Sequence, residues 1–417
     1  MKSFVGTLCL SATMAFGANV ASAAELTFAT GYGFDFFATE IAKFEKATGN
    51  KVTLIHLPAA PSAVLSQYRL WFAAGDKSVD VLAMKDIWLS AFADHLVDLK
   101  GVAGDVIGET FPSIIQSLTV DGKLLALPRY SDGPLLFYRK DLLEKYGKAP
   151  PKTWDELTAT AKEIQDKERA AGNPDMWGFV FQGRGNDTLT CNALEWIRSS
   201  GGGNIIEQDG TISINNEKAV AALERAKGWV GTISPPGVVS YGEEESRGVW
   251  QSGNAVFMRQ WTYAYQLSNA DDSAVRGKFD VMPLPADPGE VSAPTLGVKG
   301  NVVSKYSEHQ QEAIELVKFL ASAEVQKDAA LQLGDMPAVP SLFDDSDVVA
   351  AQPFMPTMKG VIDGGAIRPS VILKSRWNEA NTIFFTAVND TLSGKGTAAE
   401  NLERVEAQLT ELKGSGW

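Results

Sequence analysis

Residues 26–57 read LTFATGYGFDFFATEIAKFEKATGNKVTLIHL, and their order decides the fold. Leu26 to Thr30 predicts a short strand, broken by Gly31 and Gly33. Phe37, Ile41 and Phe44 then recur at three- and four-residue spacing, which places them on one face of a helix. Gly49 and Asn50 stop that helix, and Val52 to Leu57 predicts a second strand. Downstream, Gln67 to Ala74 reads as helix and Val79 to Met84 as a buried strand. A β-α-β-α-β order of this kind implies a parallel sheet with helices on its faces. Ligands of such sheets sit beyond the carboxyl ends of the strands. The loops Gly31–Phe36 and Lys85–Trp88 occupy that position, which makes them candidate pocket walls.

The remainder continues in the same alternating manner. Leu124 to Pro128, Leu135 to Tyr138, Trp177 to Phe181, Ala255 to Met258, Phe279 to Leu284 and Gly300 to Ser304 read as strands. Thr153 and Glu156 have the spacing of a capping box, opening a helix with Leu157, Ala161 and Ile164 inward. Ala219 to Trp229, Glu312 to Ala321 and the stretch through Leu402, Val405, Leu409 and Leu412 read as helices. Gly201-Gly202-Gly203 is a turn: no strand feeds it and no Lys-Ser/Thr follows, as a phosphate loop needs. The chain shows no repeat, low-complexity tract or long linker.

The 417 residues are 45% hydrophobic and 21% charged, enough for two globular lobes. The net charge of −13 makes nucleic acid and anionic membranes poor partners. Lys2, the apolar run Phe4 to Phe16 and the small-x-small triplet Ala21-Ser22-Ala23 form the three parts of an export signal, with Ala24 the expected first mature residue. Losing Lys2 would take the charge to −14. Cys9 follows Leu8, so a lipid-anchored cysteine is not expected. Cys191 is then the single thiol of the mature chain, expected as a buried small apolar side chain.

Several segments, in order, resemble one family. They are Leu135–Leu157 (LLFYRKDLLEKYGKAPPKTWDEL), Trp177–Glu207, Tyr241–Tyr265 (YGEEESRGVWQSGNAVFMRQWTYAY), Thr295-Leu296-Gly297 with Val302–Phe319, Arg368-Pro369, and Leu392 to Lys395. The family is the extracellular solute-binding proteins of carbohydrate ABC transporters, in particular the branch that takes trehalose, maltose or sucrose. The resemblance implies an α/β fold of two lobes around a cleft, with a hinge of three crossings. Lobe one would hold 24–133 plus 297–338, and lobe two 134–296 plus 339–417. It implies a periplasmic monomer that closes on a sugar and docks on a membrane permease, with no cofactor, metal or catalysis.

The resemblance also suggests which residues make the site. Sugars are held by aromatic faces stacked on the ring and by planar polar groups on its hydroxyls. Trp261 and Tyr263 match the family's aromatic loop, although either is equally suited to the core. Asp132 matches an acidic residue after the first crossing, or else forms a turn, and Arg368 matches an arginine that reaches the cleft, or else a surface salt bridge. Asp35, in the first loop, is a further candidate.

The departures from the family pattern carry information. Val298 and Lys299 stand where the family carries glycine and tryptophan. Met84 to Trp88 (MKDIW) places Lys85 where an aspartate is common, and Arg129 replaces an aromatic. Two readings follow. Lys85, Arg129 and Lys299 face the cleft and read an anionic group on a glycoside, or they pair with Asp86, Asp132 and Asp35 or lie on the rim.

Other classes leave little trace. The three histidines, His56, His95 and His309, make no zinc motif and flank no nucleophile, and Ser252 lacks the glycine before it that a nucleophile elbow needs. An exported glycosidase with two carboxylates drawn from distant positions stays open. Glu243-Glu244-Glu245 reads as a solvated helix start favoured by the dipole. A metal- or polyamine-binding receptor would want clustered acids or histidines at the loops, and a purely adhesive protein would not need the alternating lobes.

Overall fold

The computed structural model describes residues 23–58, 60–363 and 368–417. Apart from Ala23, the expected export signal lies outside the described residues, as does Cys9. Eleven strands order the described chain: β1 (Glu25–Thr30), β2 (Lys51–His56), β3 (Val81–Lys85), the short hairpin β4 (Thr119–Val120) and β5 (Lys123–Leu124), β6 (Leu127–Asp132), β7 (Pro134–Tyr138), β8 (Trp177–Val180), β9 (Ala255–Trp261), β10 (Asp280–Met282) and β11 (Gly297–Val303).

They form two main sheets, one per lobe. The first runs β2-β1-β3-β11-β6 and the second β10-β7-β9-β8. In the first, β1 lies parallel to β2 and β3, as the opening stretch predicts, but β11 is antiparallel to both β3 and β6. The sheet is therefore mixed: β11 returns from the second lobe and enters against the direction of its neighbours. In the second sheet, β7 is antiparallel to β9 and β10, and β8 is parallel to β9.

The local signals explain most of the helices. Phe34–Thr48 buries Phe37, Ile41 and Phe44, and ends at Gly49, whose φ of 82° is open to glycine at little cost. Pro61–Ala74 starts earlier than the sequence reading places it, with Pro61 in the first turn, where its missing N–H costs nothing. The capping box of Trp154–Ala170 closes as expected: Thr153 Oγ1 accepts from the Glu156 N–H at 3.1 Å, and Glu156 Oε2 accepts from the Thr153 N–H at 3.3 Å. That helix lays Trp154 against Trp229 in a second-lobe core that also holds Trp196 and Phe181.

The chain passes between the sheets at Asp132-Gly133-Pro134 and returns between Met282 and Gly297. After Met336, which bridges to Ser131, it runs on over the first lobe. Phe343 meets Phe111 edge to face, the helix Ser346–Ala351 packs on Ala323–Leu333, and Met355–Asp363 packs on Pro112–Ser117. These segments beyond the boundary expected at 338/339 lie against first-lobe helices, and Phe354 also meets Tyr265 of the second lobe edge to face. Trp377–Leu392 and Ala398–Lys413 then pack with the second-lobe helices Asp187–Arg198 and Glu217–Trp229. No described helix is long and apolar enough to cross a membrane.

Candidate functional site

The ends of strands from both sheets meet at a cavity of ≈ 380 Å³. From the first lobe, β3 delivers Lys85, β6 delivers Tyr130 and Asp132, and the start of β11 delivers Val298 and Lys299. These residues are neighbours by register, since Lys299 stands opposite Lys85 on one side and Tyr130 on the other, and Gly297 stands opposite Asp132. From the second lobe, β9 delivers Trp261 and the turn after it Thr262 and Tyr263. The helix starts at Asp187 and Glu243 add Asp187, Thr188, Glu243 and Glu244. Tyr32, Asp86, Asp335 and Arg368 complete the polar lining.

The aromatic pair is held in place by polar contacts. Tyr263 donates its hydroxyl to Glu244 Oε1 at 2.8 Å. Trp261 lies over the guanidinium of Arg259, 4.1 Å from its ring centre. That guanidinium is fixed by Glu195 in an ion pair with both side chains 0% exposed, and by Gln182 Oε1 at 3.1 Å. A buried pair with satisfied bonds fixes orientation more surely than it adds stability. It sets the tryptophan at one angle to the cleft.

Asp132 reaches across the lobes. Its Oδ1 accepts from Thr262 Oγ1 at 2.9 Å and from the Thr262 N–H at 3.3 Å. Loss of solvent pushes its carboxyl up to about 7, against the pull of the Thr262 bonds. Asp335 is 5% exposed and stands after the left-handed Gly334. It accepts from the Tyr32 hydroxyl at 3.1 Å through Oδ1, while its Oδ2 has no partner among the described residues, and burial raises it to about 6.

Arg368, 4% exposed, makes a buried clamp in place of a surface bridge. Its Nη2 donates to Asp86 Oδ1 at 3.0 Å on the first lobe, and its Nη1 to Asp187 Oδ2 at 2.8 Å on the second. Burial lifts Asp86, with Arg368 pulling the other way.

Two expected residues stand elsewhere. Arg129 does not line the cavity. It turns into the first lobe, donating to Thr30 Oγ1 at 2.8 Å and to the Tyr32 carbonyl, and stacks 4.0 Å over Phe37. The guanidinium is held there against the Phe37 ring as a cation on a π face. Asp35 lies exposed in the first turn of Phe34–Thr48, because the helix begins before the loop can reach the cleft, and Tyr32 takes its place. The pairs expected for the cations do not form among the described residues, and Asp86 pairs instead with Arg368. Among the described residues, neither Lys85 nor Lys299 has a carboxylate within 4 Å.

Tyr32 lies in the loop expected as a pocket wall, whereas Asp335, Tyr130, Asp187, Glu243 and Glu244 are cavity residues that the sequence does not mark as such. A signal existed for Asp335, as Gly334-Asp335 before Pro337 marks a polar turn at a lobe crossing. Glu243 and Glu244 read as a solvated helix start because nothing local shows that this helix opens onto a cleft. Among the described residues no cluster of histidines, cysteines and acids is placed to hold a metal ion.

The two-sheet cleft agrees with the comparison of sequences. A family profile described as bacterial extracellular solute-binding protein matches residues 29–327. The chain belongs to that family. A Deinococcus radiodurans relative, named a probable ABC transporter-binding protein, is 42% identical over the full length of both chains. A galactooligosaccharide-binding protein of Bacillus subtilis is 29% identical over 75% of this solute-binding protein and 72% of its own length. Among solved structures, maltose-bound T. maritima MalE3 superposes with a TM-score of 0.85 and 34% identity, covering 94% of this solute-binding protein and all of that chain.

Proposed function

We propose that this protein is the exported, periplasmic receptor of an ABC importer, capturing a neutral or substituted di- or oligosaccharide by closing its lobes and presenting it to the membrane permease. The observation that carries this reading is the pairing, in one interlobe cavity, of Trp261 and Tyr263 with carboxylates on both lobes. An indole face covers the apolar face of a pyranose, and ionised carboxylates accept charge-assisted hydrogen bonds from its hydroxyls. Asp335 Oδ2 stands ready as one such acceptor. The relatives named for maltose and galactooligosaccharides support the same class. Ala24 as the first mature residue, a monomeric state and the absence of catalysis belong to this proposal.

A thermal-shift screen of residues 24–417 tests it, with maltose, trehalose, sucrose and their substituted relatives as probes. Ligand at about 100 times its Kd adds roughly 2.7 kcal/mol of stability. A shift that disappears in Trp261→Ala is the expected result. No shift with any saccharide overturns the proposal, and cleavage products in the incubated mixture convert it to a glycosidase.

A further inference from the structure

We infer that the cleft is built for a saccharide carrying an anionic oxygen group, with Lys85 and Lys299 as the pair that binds that group. This rests on the carbohydrate reading and narrows its substrate class.

Asp86 and Asp187 share Arg368. Asp132 holds Thr262, and Asp335 holds Tyr32. Glu243 accepts from Thr188 Oγ1 at 2.6 Å, and Glu244 from Tyr263 and Arg247. Every lining carboxylate therefore has a donor. Lys85 and Lys299 have no acceptor of any kind among the described residues; the Lys85 ammonium has only the Trp88 ring, at 5.7 Å.

Their placement makes this costly. The two stand directly opposite each other on β3 and β11, where like charges repel. Arg129 behind the wall adds a third cation. Asp335 offsets only part of that charge. Both lysines are half-buried and open onto the cavity, and like charges held in a confined cleft are offset when an anion pairs with them. There is room for one: the same two lysines and Tyr32 also line a second cavity of ≈ 380 Å³, walled by His56, Pro58, Pro61 and Trp88. A sugar ring against Trp261 can thus extend its charged substituent between the lysines. Loss of water, with Arg129 and Lys85 nearby, drives the Lys299 ammonium down to about 7, which an incoming anion would reverse.

Carboxylate, phosphate and sulfonate share the needed chemistry, and matched probes separate them. Calorimetry compares D-glucuronate, D-glucose 6-phosphate and 6-deoxy-6-sulfoglucose, with their methyl glycosides and maltose-linked forms, against the neutral parents. Measurements use wild type, Lys85→Met, Lys299→Met and the double variant. The expected result is an anionic member bound at least tenfold tighter than its neutral parent. Each single variant should lose about thirtyfold or more of that affinity. The unliganded variants should also melt higher than wild type, since the repulsion is gone, which separates lost binding from lost folding. Neutral parents bound as tightly as the anions overturn the inference and leave the carbohydrate reading standing. Anion affinity unchanged in the double variant also overturns it. Silence from every saccharide overturns both.

Discussion

At the residue scale the cleft acids carry a pH signature. Asp132 is raised to about 7 from its ordinary 3.8. Between those values the folded chain holds a proton that the unfolded chain has released, so this group's contribution to stability falls as pH rises from about 4 to about 7. Asp335, raised to about 6, acts in the same sense. Lys299 acts in the opposite sense above that range: the folded chain gives up a proton that the unfolded chain keeps until about 10.5, so stability rises from pH 7 upward. Asp132→Asn should therefore raise the melting midpoint more at pH 7.5 than at pH 4.5 relative to wild type, and equal shifts at both values would refute the assignment. Several of these residues were legible from the order of motifs, among them Trp261, Tyr263, Asp132 and Arg368. Arg129 was not, because a one-dimensional string does not tell which side of β6 faces the cleft and which faces Phe37. Asp335 lies about 200 residues from its neighbour Asp132, and only tertiary folding brings such acids together.

At the scale of elements, β11 sets the geometry of the lysine wall. Against β6 its register shifts between Lys299, opposite Tyr130, and Gly300, opposite Pro128, so Arg129 is the extra, bulged residue and turns into the first lobe. Gly300 is required there by contact: a Cβ would stand 2.7 Å from Ala126 Cβ and 2.9 Å from the Leu127 carbonyl. Gly300→Ala should cost about 1–3 kcal/mol in urea unfolding. Gly228, in Glu217–Trp229, meets nothing within 4 Å, and Ala there should stabilise by up to about 1 kcal/mol. If both substitutions behave alike, the close approach of β11 to the Ala126–Leu127 segment is not what holds the bulge. Strands and helices were largely legible from periodicity and capping residues. The antiparallel entry of β11 was not, since strand direction in a sheet depends on which lobe the chain has just left.

Across the whole molecule, Arg368 joins Asp86 of one lobe to Asp187 of the other. Arg368→Met leaves the buried Asp86 and the half-buried Asp187 without their cation, a change that in fully buried pairs costs about 3–5 kcal/mol. The expected outcome is a lower melting midpoint and a larger radius of gyration in small-angle scattering of the unliganded protein; an unchanged radius would show that the clamp does not restrain the lobes. Arg368→Lys should not rescue either value, because a point ammonium cannot span both acids as the fork does. The clamp also touches the only cysteine beyond residue 23: Arg368 Nη1 lies 3.9 Å from Cys191 Sγ. That thiol is buried, and burial pushes its pKa up to about 12 against the downward pull of Arg368, so it is mute while it stays enclosed. Each parting of the lobes would uncover it. The protein thus contains its own single-site reporter, and the rate at which a maleimide modifies Cys191, with and without ligand, would count the openings of the receptor.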